Sequence, residues 1–391
     1  MRDVVVVGGG PVGMMLACLL AAEGLDVEVL EQRTEPSMRS RAIGIHPPSL
    51  RALARIGVAD KLIARAVQID EGSVHCDGRR LGRMSFTSVG AEFGFVAALP
   101  QYETEALLRQ RFEQFAPGRV RGGATVTGVR EAGEHVEVEL RDAAPVQARY
   151  VVGADGARSV VRAAVGIRFA TFGTHATYLM GDFSAAEAVS EPISHHTSAR
   201  SAERTHSQAV LYFERGGVVE SFPLPGGRRR WVVMTDRLSP QATSDDLAAI
   251  VRWRTGAVVG EALGPASAFG VQQHLAARLV AGRVALVGDA AHEISPIGGQ
   301  GMNLGWLDAV QLAPALRSAI LQTDAHGSAL ETYDRRRRRT ARTAAVQAGF
   351  NMAMGRPMAG VRLAARNTLV RALALPPGSA VVARAFTMRW L

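Results

Sequence analysis

Val4-Val5-Val6-Val7-Gly8-Gly9-Gly10-Pro11-Val12-Gly13 is an apolar run that feeds a Gly-x-Gly-x-x-Gly turn. Four valines in succession read as a strand buried on both faces, as in a parallel sheet. Gly8 permits the tight turn, Gly10 lets backbone approach a pyrophosphate, and Gly13 lets the next helix pack closely on the strand. Pro11 and Val12 fall where that helix starts, with its amides aimed at phosphate. The pattern predicts a dinucleotide site but not which dinucleotide.

Working outward, the helix runs through Met14-Met15-Leu16-Ala17-Cys18-Leu19-Leu20 to about Glu23, and Gly24 ends it. Val27-Glu28-Val29-Leu30-Glu31 follows as a second strand with an acid at its tip, about 20 residues past the turn, where a ribose ligand belongs. Glu31 is expected to accept from a ribose 2′-OH, with Gln32 and Arg33 beside it. Arg33 could meet a 2′-phosphate, but a carboxylate in the ribose position would repel one.

From Val4 to Ala22 there is no charged side chain, which could pass for a membrane span. Three glycines and a proline at its centre argue against that, and Asp3 spoils the basic leader of a secretory signal. No integral membrane span is expected. At 391 residues the chain exceeds what one core supports, so two structural domains are expected. The net charge is +9, yet Lys61 is the one lysine among 45 basic residues. With no nucleic-acid module in the sequence, the basicity bears on solubility and steering rather than on nucleic-acid binding. Cys18 and Cys76 are the only cysteines, with no CxxC pair and no zinc-ligand spacing. No metal site is expected, and a reducing, cytoplasmic setting fits.

Arg39 to Pro48 reads as a loop ending in a prolyl turn, before a helix from Ser49, as N-cap, to Gly57. Val74 to Leu81 reads as a hairpin turning on Asp77-Gly78. A helix opens near Gln101 and continues to about Phe115, and strands follow around Thr125–Val129 and Val136–Leu140. Arg149 to Asp155 is another buried strand, entering a sharp turn at Asp155-Gly156. From about Phe169 to His274 the strands Ala209–Phe213, Gly217–Phe222 and Arg230–Met234 are separated by glycine turns, the punctuation of an antiparallel sheet. A helix is expected from Ser244 to Gly256. The dinucleotide pattern resumes at Arg283 to Val287, so the sheet is an insertion.

Val287-Gly288-Asp289-Ala290-Ala291-His292 then leads to Pro296-Ile297-Gly298-Gly299-Gln300-Gly301-Met302-Asn303. Glycines here free the backbone so that a long helix begins with its amides aimed at negative charge. The glycine turn, the Asp155-Gly156 motif and the Gly288-Asp289 motif with its Pro296 to Asn303 tail occur in order. In this the chain resembles the class A, single-component FAD-dependent monooxygenases, the para-hydroxybenzoate hydroxylase-like family. The resemblance implies an α/β fold: a Rossmann-like FAD-binding domain of the GR2 type, an inserted antiparallel β-sheet substrate domain and C-terminal helices. The corresponding boundaries are 1–70, 98–168 and 275–340 for the first, 71–97 and 169–274 for the second, and 341–391 for the helical segment. The segment after Asp308 is too short for the thioredoxin-like domain of larger members, so the shorter type is expected.

By the same resemblance FAD is bound non-covalently, with Gly8, Gly10, Pro11, Val12, Gly13, Glu31, Gln32 and Arg33 around its adenosine and pyrophosphate. Arg41 and Gln101 would contact the pyrophosphate and ribityl chain, and Asp155 and Gly156 the flavin and nicotinamide. Gly288 and Asp289 would hold the ribityl hydroxyls, the Pro296 backbone would lie near flavin C4a, and Gly299, Gly301, Met302 and Asn303 would face the pyrimidine. NADPH or NADH would be a transient reductant and O2 the co-substrate. The resemblance also implies a flavin C4a-hydroperoxide that hydroxylates or epoxidises an aromatic, polyketide or terpenoid molecule in a dry pocket. NADPH is favoured over NADH, because arginines can meet a 2′-phosphate. Partners are expected to be a hydrophobic small molecule and, in a homodimer, a second copy; a monomer is equally compatible. A same-fold oxidase, dehydrogenase or prenyl reductase, and a non-catalytic flavin-binding redox sensor, remain as alternatives.

No catalytic base is assigned. His46, His75, His195, His196, His206, Tyr212 and His292 are chemically able, with His46 foremost because its loop follows Arg41. His292 is expected to orient the Asp289 turn. Arg335 to Arg339 spray around a helix, and a solvated or salt-bridged surface is expected for them.

Overall fold

The computed structural model describes residues 1–35, 42–87, 92–185, 207–294, 299–322 and 328–389. The valine run becomes the strand Arg2–Val7 at the middle of the first sheet, paired in parallel with Val27–Glu31 on one side and Ala143–Gly153 on the other. Val284–Leu286 and Val120–Gly122 extend the parallel set outward, and Val126–Ala132 and His135–Leu140 add an antiparallel ribbon. Val4, Val5 and Val6 have no solvent exposure, which is why the run shows no alternation of polar and apolar residues. The helix Pro11–Ala22 lies against this sheet, with the helices Gln101–Phe115 and Gln300–Ile320 packed beside it.

Among the described residues the second sheet has eight strands. Their order is His292–Glu293, Ser267–Ala276, Phe169–Ser184, Arg228–Thr235, Gly217–Leu224, Ala209–Glu214, Glu71–Cys76, Arg79–Ser85. All neighbours are antiparallel except Ala209–Glu214 with Glu71–Cys76. The hairpin at Asp77-Gly78 has both residues at positive φ, +49° and +70°, the conformation that an Asp-Gly turn supplies.

Alternation along these strands divides the sheet into two faces. Leu179, Phe183, Val219, Trp231 and Val233 pack beneath the helix Ser244–Thr255 through Leu247 and Val251. The intervening residues Tyr178, Met180, Glu220, Phe222, Arg230 and Val232 point the other way, into a cleft against the first sheet. Period-two geometry therefore turns one strand set into a core face and a cavity face.

The helix Ser328–Gly355 joins the two halves. Leu330 and Tyr333 belong to the core of the first sheet, while Met352 is buried against the second among Tyr178, Val218 and Met234. The expected start of a C-terminal segment at 341 thus falls inside one continuous helix. Two shorter helices follow, Gly360–Leu373 and Gly378–Phe386; Leu363 packs on Cys76 and Leu81. Among the described residues no single helix is long and apolar enough to cross a membrane.

Two local expectations are corrected. Ser49 does not cap its helix: the helix spans Pro47–Arg55 with His46 at the N-cap, because prolines at the first two positions have fixed φ and no N–H to satisfy. The arginine run is not wholly a surface. Arg337 is buried and its Nε donates to Asp308 at 2.6 Å, so one arginine in that turn points into the core.

Candidate active site

The two sheets enclose a cavity of about 890 Å³. At one end lies the glycine turn. Gly8 has φ +110°, and a Cβ there would stand 2.4 Å from the carbonyl oxygen of Ala154; a Cβ on Gly13 would meet the Gly8 carbonyl oxygen at 2.0 Å. Both glycines are required by backbone packing. Gly10 differs: it is the N-cap of the twelve-residue helix, with Pro11 next, and a Cβ on it would find nothing within 4 Å. Its open side is a cradle that an L side chain would begin to fill, at a helix N-terminus suited to phosphate.

Glu31 borders the cavity at the end of its strand. Its Oε2 accepts from the Gly9 N–H at 2.8 Å, and its Oε1 from the Arg33 N–H at 3.0 Å and Arg33 Nε at 2.9 Å. Burial would raise its pKa, but the Arg33 side chain and the two backbone donors outweigh that and hold it below the ordinary value. Arg33 Nη2 adds a fourth, longer donor to Oε2 at 3.5 Å, and this is the contact that a ribose hydroxyl would have to displace. The Arg33 guanidinium is engaged by Glu31. Gln32 and Val12 line the same end.

Further along, Asp155 Oδ2 accepts from the N–H groups of Val160 at 2.7 Å and Val161 at 3.2 Å, capping the short helix Val160–Ala164 together with Ser159. Asp155 Oδ1 is shielded from solvent and has no partner among the described residues, and burial raises the pKa of the group. Gly156, Gln101, Asp289, Gly299, Gly301 and Met302 complete this wall. Gly299 has φ +66° as N-cap of the helix Gln300–Ile320. Gly301 is ordinary helix, and a Cβ there would be 3.9 Å from its nearest neighbours, so its role is to leave space rather than to bend.

Three residues expected at the cofactor are turned toward protein instead of bordering the cavity. Gly13 is one, for the reason above. Gly288, at φ +60°, donates its N–H to Asp308 Oδ2 at 3.1 Å. The side chain of Asn303 accepts from the His46 N–H at 2.9 Å and donates to the carbonyl oxygens of Gly44 at 2.8 Å and Gly299 at 2.7 Å, which ties the Gly44–His46 segment to the start of the long helix. Asp308 is wholly buried between His292 Nε2, 2.6 Å away, and Arg337. Burial opposes its charge, but the interactions with His292 and Arg337 hold its pKa below the usual range. His292 thus orients the Asp289 turn through Asp308, without reaching the cavity.

Among the base candidates, His46 lies on the cavity wall, buried, with its ring edge-on to Phe386 at 5.7 Å. Tyr212 and His75 do not reach the cavity: Tyr212 stacks on Trp231 on the opposite face of the second sheet, and His75 packs against Tyr212. One-residue alternation decides this, since Leu211 and not Tyr212 pairs with Glu220. Arg41, Pro296, His195, His196 and His206 lie outside the described residues.

The other end of the cavity is the second sheet. Met180, Phe222, Val232, Phe269 and Val271 make it apolar. Into it project Tyr178 and Glu220, neither singled out from the sequence. Glu220 is buried and burial pushes its carboxyl up to about 8; burial, with Glu220's charge second, raises the Tyr178 phenol. Arg230 is held by both oxygens of Asp182, at 2.6 and 2.8 Å. The one sequence signal for Glu220 was an acid inside the apolar run Val218-Val219-Glu220-Ser221-Phe222.

With this geometry in view, comparison with known proteins is informative. Residues 1–348 match the family model described as FAD binding domain. The rifampicin monooxygenase of Streptomyces venezuelae is 33% identical over 325 residues, covering 82% of this chain and 65% of that protein. The para-nitrophenol 4-monooxygenase of Pseudomonas sp. strain WBC-3 is 30% identical, with 86% and 82% covered. Among solved structures, the anhydrotetracycline hydroxylase of Streptomyces rimosus superposes with a TM-score of 0.78 at 28% identity, over 100% of this chain and 76% of that one. The fold is that of the Rossmann-like FAD-dependent hydroxylases. The chain belongs to the family of single-component FAD-dependent monooxygenases, and it spans about two thirds of the length of the Streptomyces venezuelae relative.

Proposed function

We propose that this protein is an FAD-dependent monooxygenase, reduced by NADPH or NADH, that inserts one oxygen atom from O2 into an apolar aromatic or polyketide-like small molecule. The observation that carries the reading is the continuity of one cavity, from a phosphate-cradling glycine turn and ribose-accepting carboxylate to an apolar sheet face. Gly10 and the helix amides would receive the pyrophosphate, Glu31 a ribose hydroxyl, and Asp155 and Asp289 polar groups toward the flavin. When bound and reduced, FAD supplies the reaction with O2.

The chain's own contribution is placement and dryness. The helix that begins at Gly299 aims its N-terminal amides into the cavity, where they favour negative charge. Gly301 keeps that approach open. Met180, Phe222, Val232, Phe269 and Val271 exclude water beside the reacting position, which keeps oxygen transfer coupled to reductant use. The nicotinamide is a transient visitor, since no second Gly-x-Gly-x-x-Gly follows a strand in the chain.

Purified protein should be yellow and should release FAD, not FMN, on acid treatment. NADPH oxidation should accelerate with a suitable aromatic substrate, and product formed under ¹⁸O2 should carry one labelled atom. Release of FMN, or product without label, would overturn the reading. NADPH use with full peroxide formation and no labelled product would point instead to an oxidase.

A further inference from the structure

The cavity face of the second sheet holds two polar side chains whose hydrogen-bonding capacity the protein does not use. Glu220 sits on the strand Gly217–Leu224, paired through Val232 to Met180, and Tyr178 lies two residues along on the strand Phe169–Ser184. Both line the cavity. Glu220 Oε1 and the Tyr178 hydroxyl are shielded from solvent and have no hydrogen-bond partner among the described residues. An acid in an apolar wall without a partner is costly to the fold. Groups left in that condition at a cavity are expected where a ligand completes them.

We propose that Glu220 and Tyr178 form the polar anchor of the substrate pocket, taking a phenolic or enolic hydroxyl of an otherwise uncharged aromatic ring and disfavouring ligands that carry a carboxylate. This rests on the monooxygenase reading above. A hydroxyl both donates and accepts, so it can satisfy a carboxyl oxygen and a phenol at once. A carboxylate cannot donate, and it would bring an unpaired charge into an apolar site where burial already disfavours the ionised form of Glu220. The cation on the same face does not relieve this, because both oxygens of Asp182 already engage Arg230. The anchor thus selects for an uncharged hydroxyl-bearing ring where a sheet face lined by a free arginine would select for an acid.

The test is calorimetric binding to the FAD-loaded protein with three probes of one ring size: 2-naphthol, 2-naphthoate and naphthalene. The expected order is 2-naphthol tightest, at least roughly tenfold over each of the others, the discrimination one to two well-placed hydrogen bonds supply. Tyr178→Phe and Glu220→Leu should each weaken 2-naphthol about fivefold or more, toward the value for naphthalene, while leaving naphthalene unchanged; Glu220→Gln should lose less than Glu220→Leu. Glu220→Leu should also raise Tm by a few degrees, since it removes a buried acid that lacks a partner; a merely structural role would lower Tm. Equal affinity for 2-naphthol and 2-naphthoate, no binding of 2-naphthol, or a loss shared equally by 2-naphthol and naphthalene would overturn the proposal. FAD content and ¹⁸O2 labelling on the same preparations report on the monooxygenase reading separately. A flavin-loaded, label-incorporating enzyme that ignores Glu220 sinks the anchor alone.

Discussion

The two ends of the cavity are built from different materials. At the glycine turn the wall is backbone: a Cβ on Gly8 or Gly13 would collide with a neighbouring carbonyl oxygen, Glu31 already accepts four hydrogen bonds, and Gly288 is tied to a buried Asp308. At the second sheet the wall is side chain, and Glu220 and Tyr178 have polar atoms that nothing in the described protein satisfies. On the proposed reading, the first end receives the cofactor on backbone fixed by packing. On the same reading, the second end selects its ligand through side chains carried on strands.

Substitutions should separate these roles. The largest effect is expected from Asp308→Asn, which leaves His292 and Arg337 buried beside a neutral amide. Breaking such a group costs about 3–5 kcal/mol, and thermal unfolding should show it as a large drop in Tm with loss of bound FAD. Because the folded pKa of Asp308 is depressed, its contribution is present above the unfolded value of about 4 and disappears as pH falls through the lower folded value. Acid-unfolding curves of the wild type should carry that component, and those of Asp308→Asn should not.

Next come two glycines of one motif. Gly13→Ala forces a Cβ against the Gly8 carbonyl oxygen and should cost about 1–3 kcal/mol or more. Gly10→Ala meets no protein atom, so stability should change by less than about 0.5 kcal/mol, while FAD affinity should fall about tenfold, or about 1.4 kcal/mol. Equal loss of Tm in both variants would show that Gly10 is structural and not a phosphate cradle.

Gly301→Val probes the other cofactor wall. Its side chain would enter the cavity, so FAD content should fall or, where FAD remains, more of the NADPH consumed should end as hydrogen peroxide. Unchanged coupling would place the segment away from the flavin. The smallest effect on cofactor is expected from Phe222→Ala. FAD content should match the wild type, stability should fall by less than about 1.5 kcal/mol, and substrate-stimulated NADPH oxidation should drop. Loss of FAD in this variant would erase the distinction between the two ends.

Much of the first end was legible in the sequence, because its constraints are local. A tight turn needs glycine at a particular φ, a buried parallel strand needs an unbroken apolar run, and the acid lies at the tip of the next strand. The same locality placed the Asp77-Gly78 hairpin and the helices Gln101–Phe115 and Ser244–Thr255 close to where they occur. Ser49 does not cap its helix for an equally local reason, the helix-starting fitness of Pro47 and Pro48. Arg337 and Tyr212 failed for another reason. Which side of a helix or strand faces the core depends on what packs there, and an arginine run or a strand tyrosine does not reveal that.

By itself, then, the sequence determined that the chain folds a dinucleotide-type parallel sheet around Arg2–Val7, interrupts it with an antiparallel sheet, and returns to it at Val284–Leu286. Turn stereochemistry and hydrophobic run length are properties of neighbouring residues, so they can be read in order along the chain. Only the tertiary structure decided that Glu220 and Tyr178 share a cavity with Gly10 and Glu31, that His75 and Tyr212 do not, and that Asp308 joins Gly288, His292 and Arg337. Those groupings depend on sheet register and on burial between elements distant in sequence, where a shift of one residue sends a side chain to the opposite face.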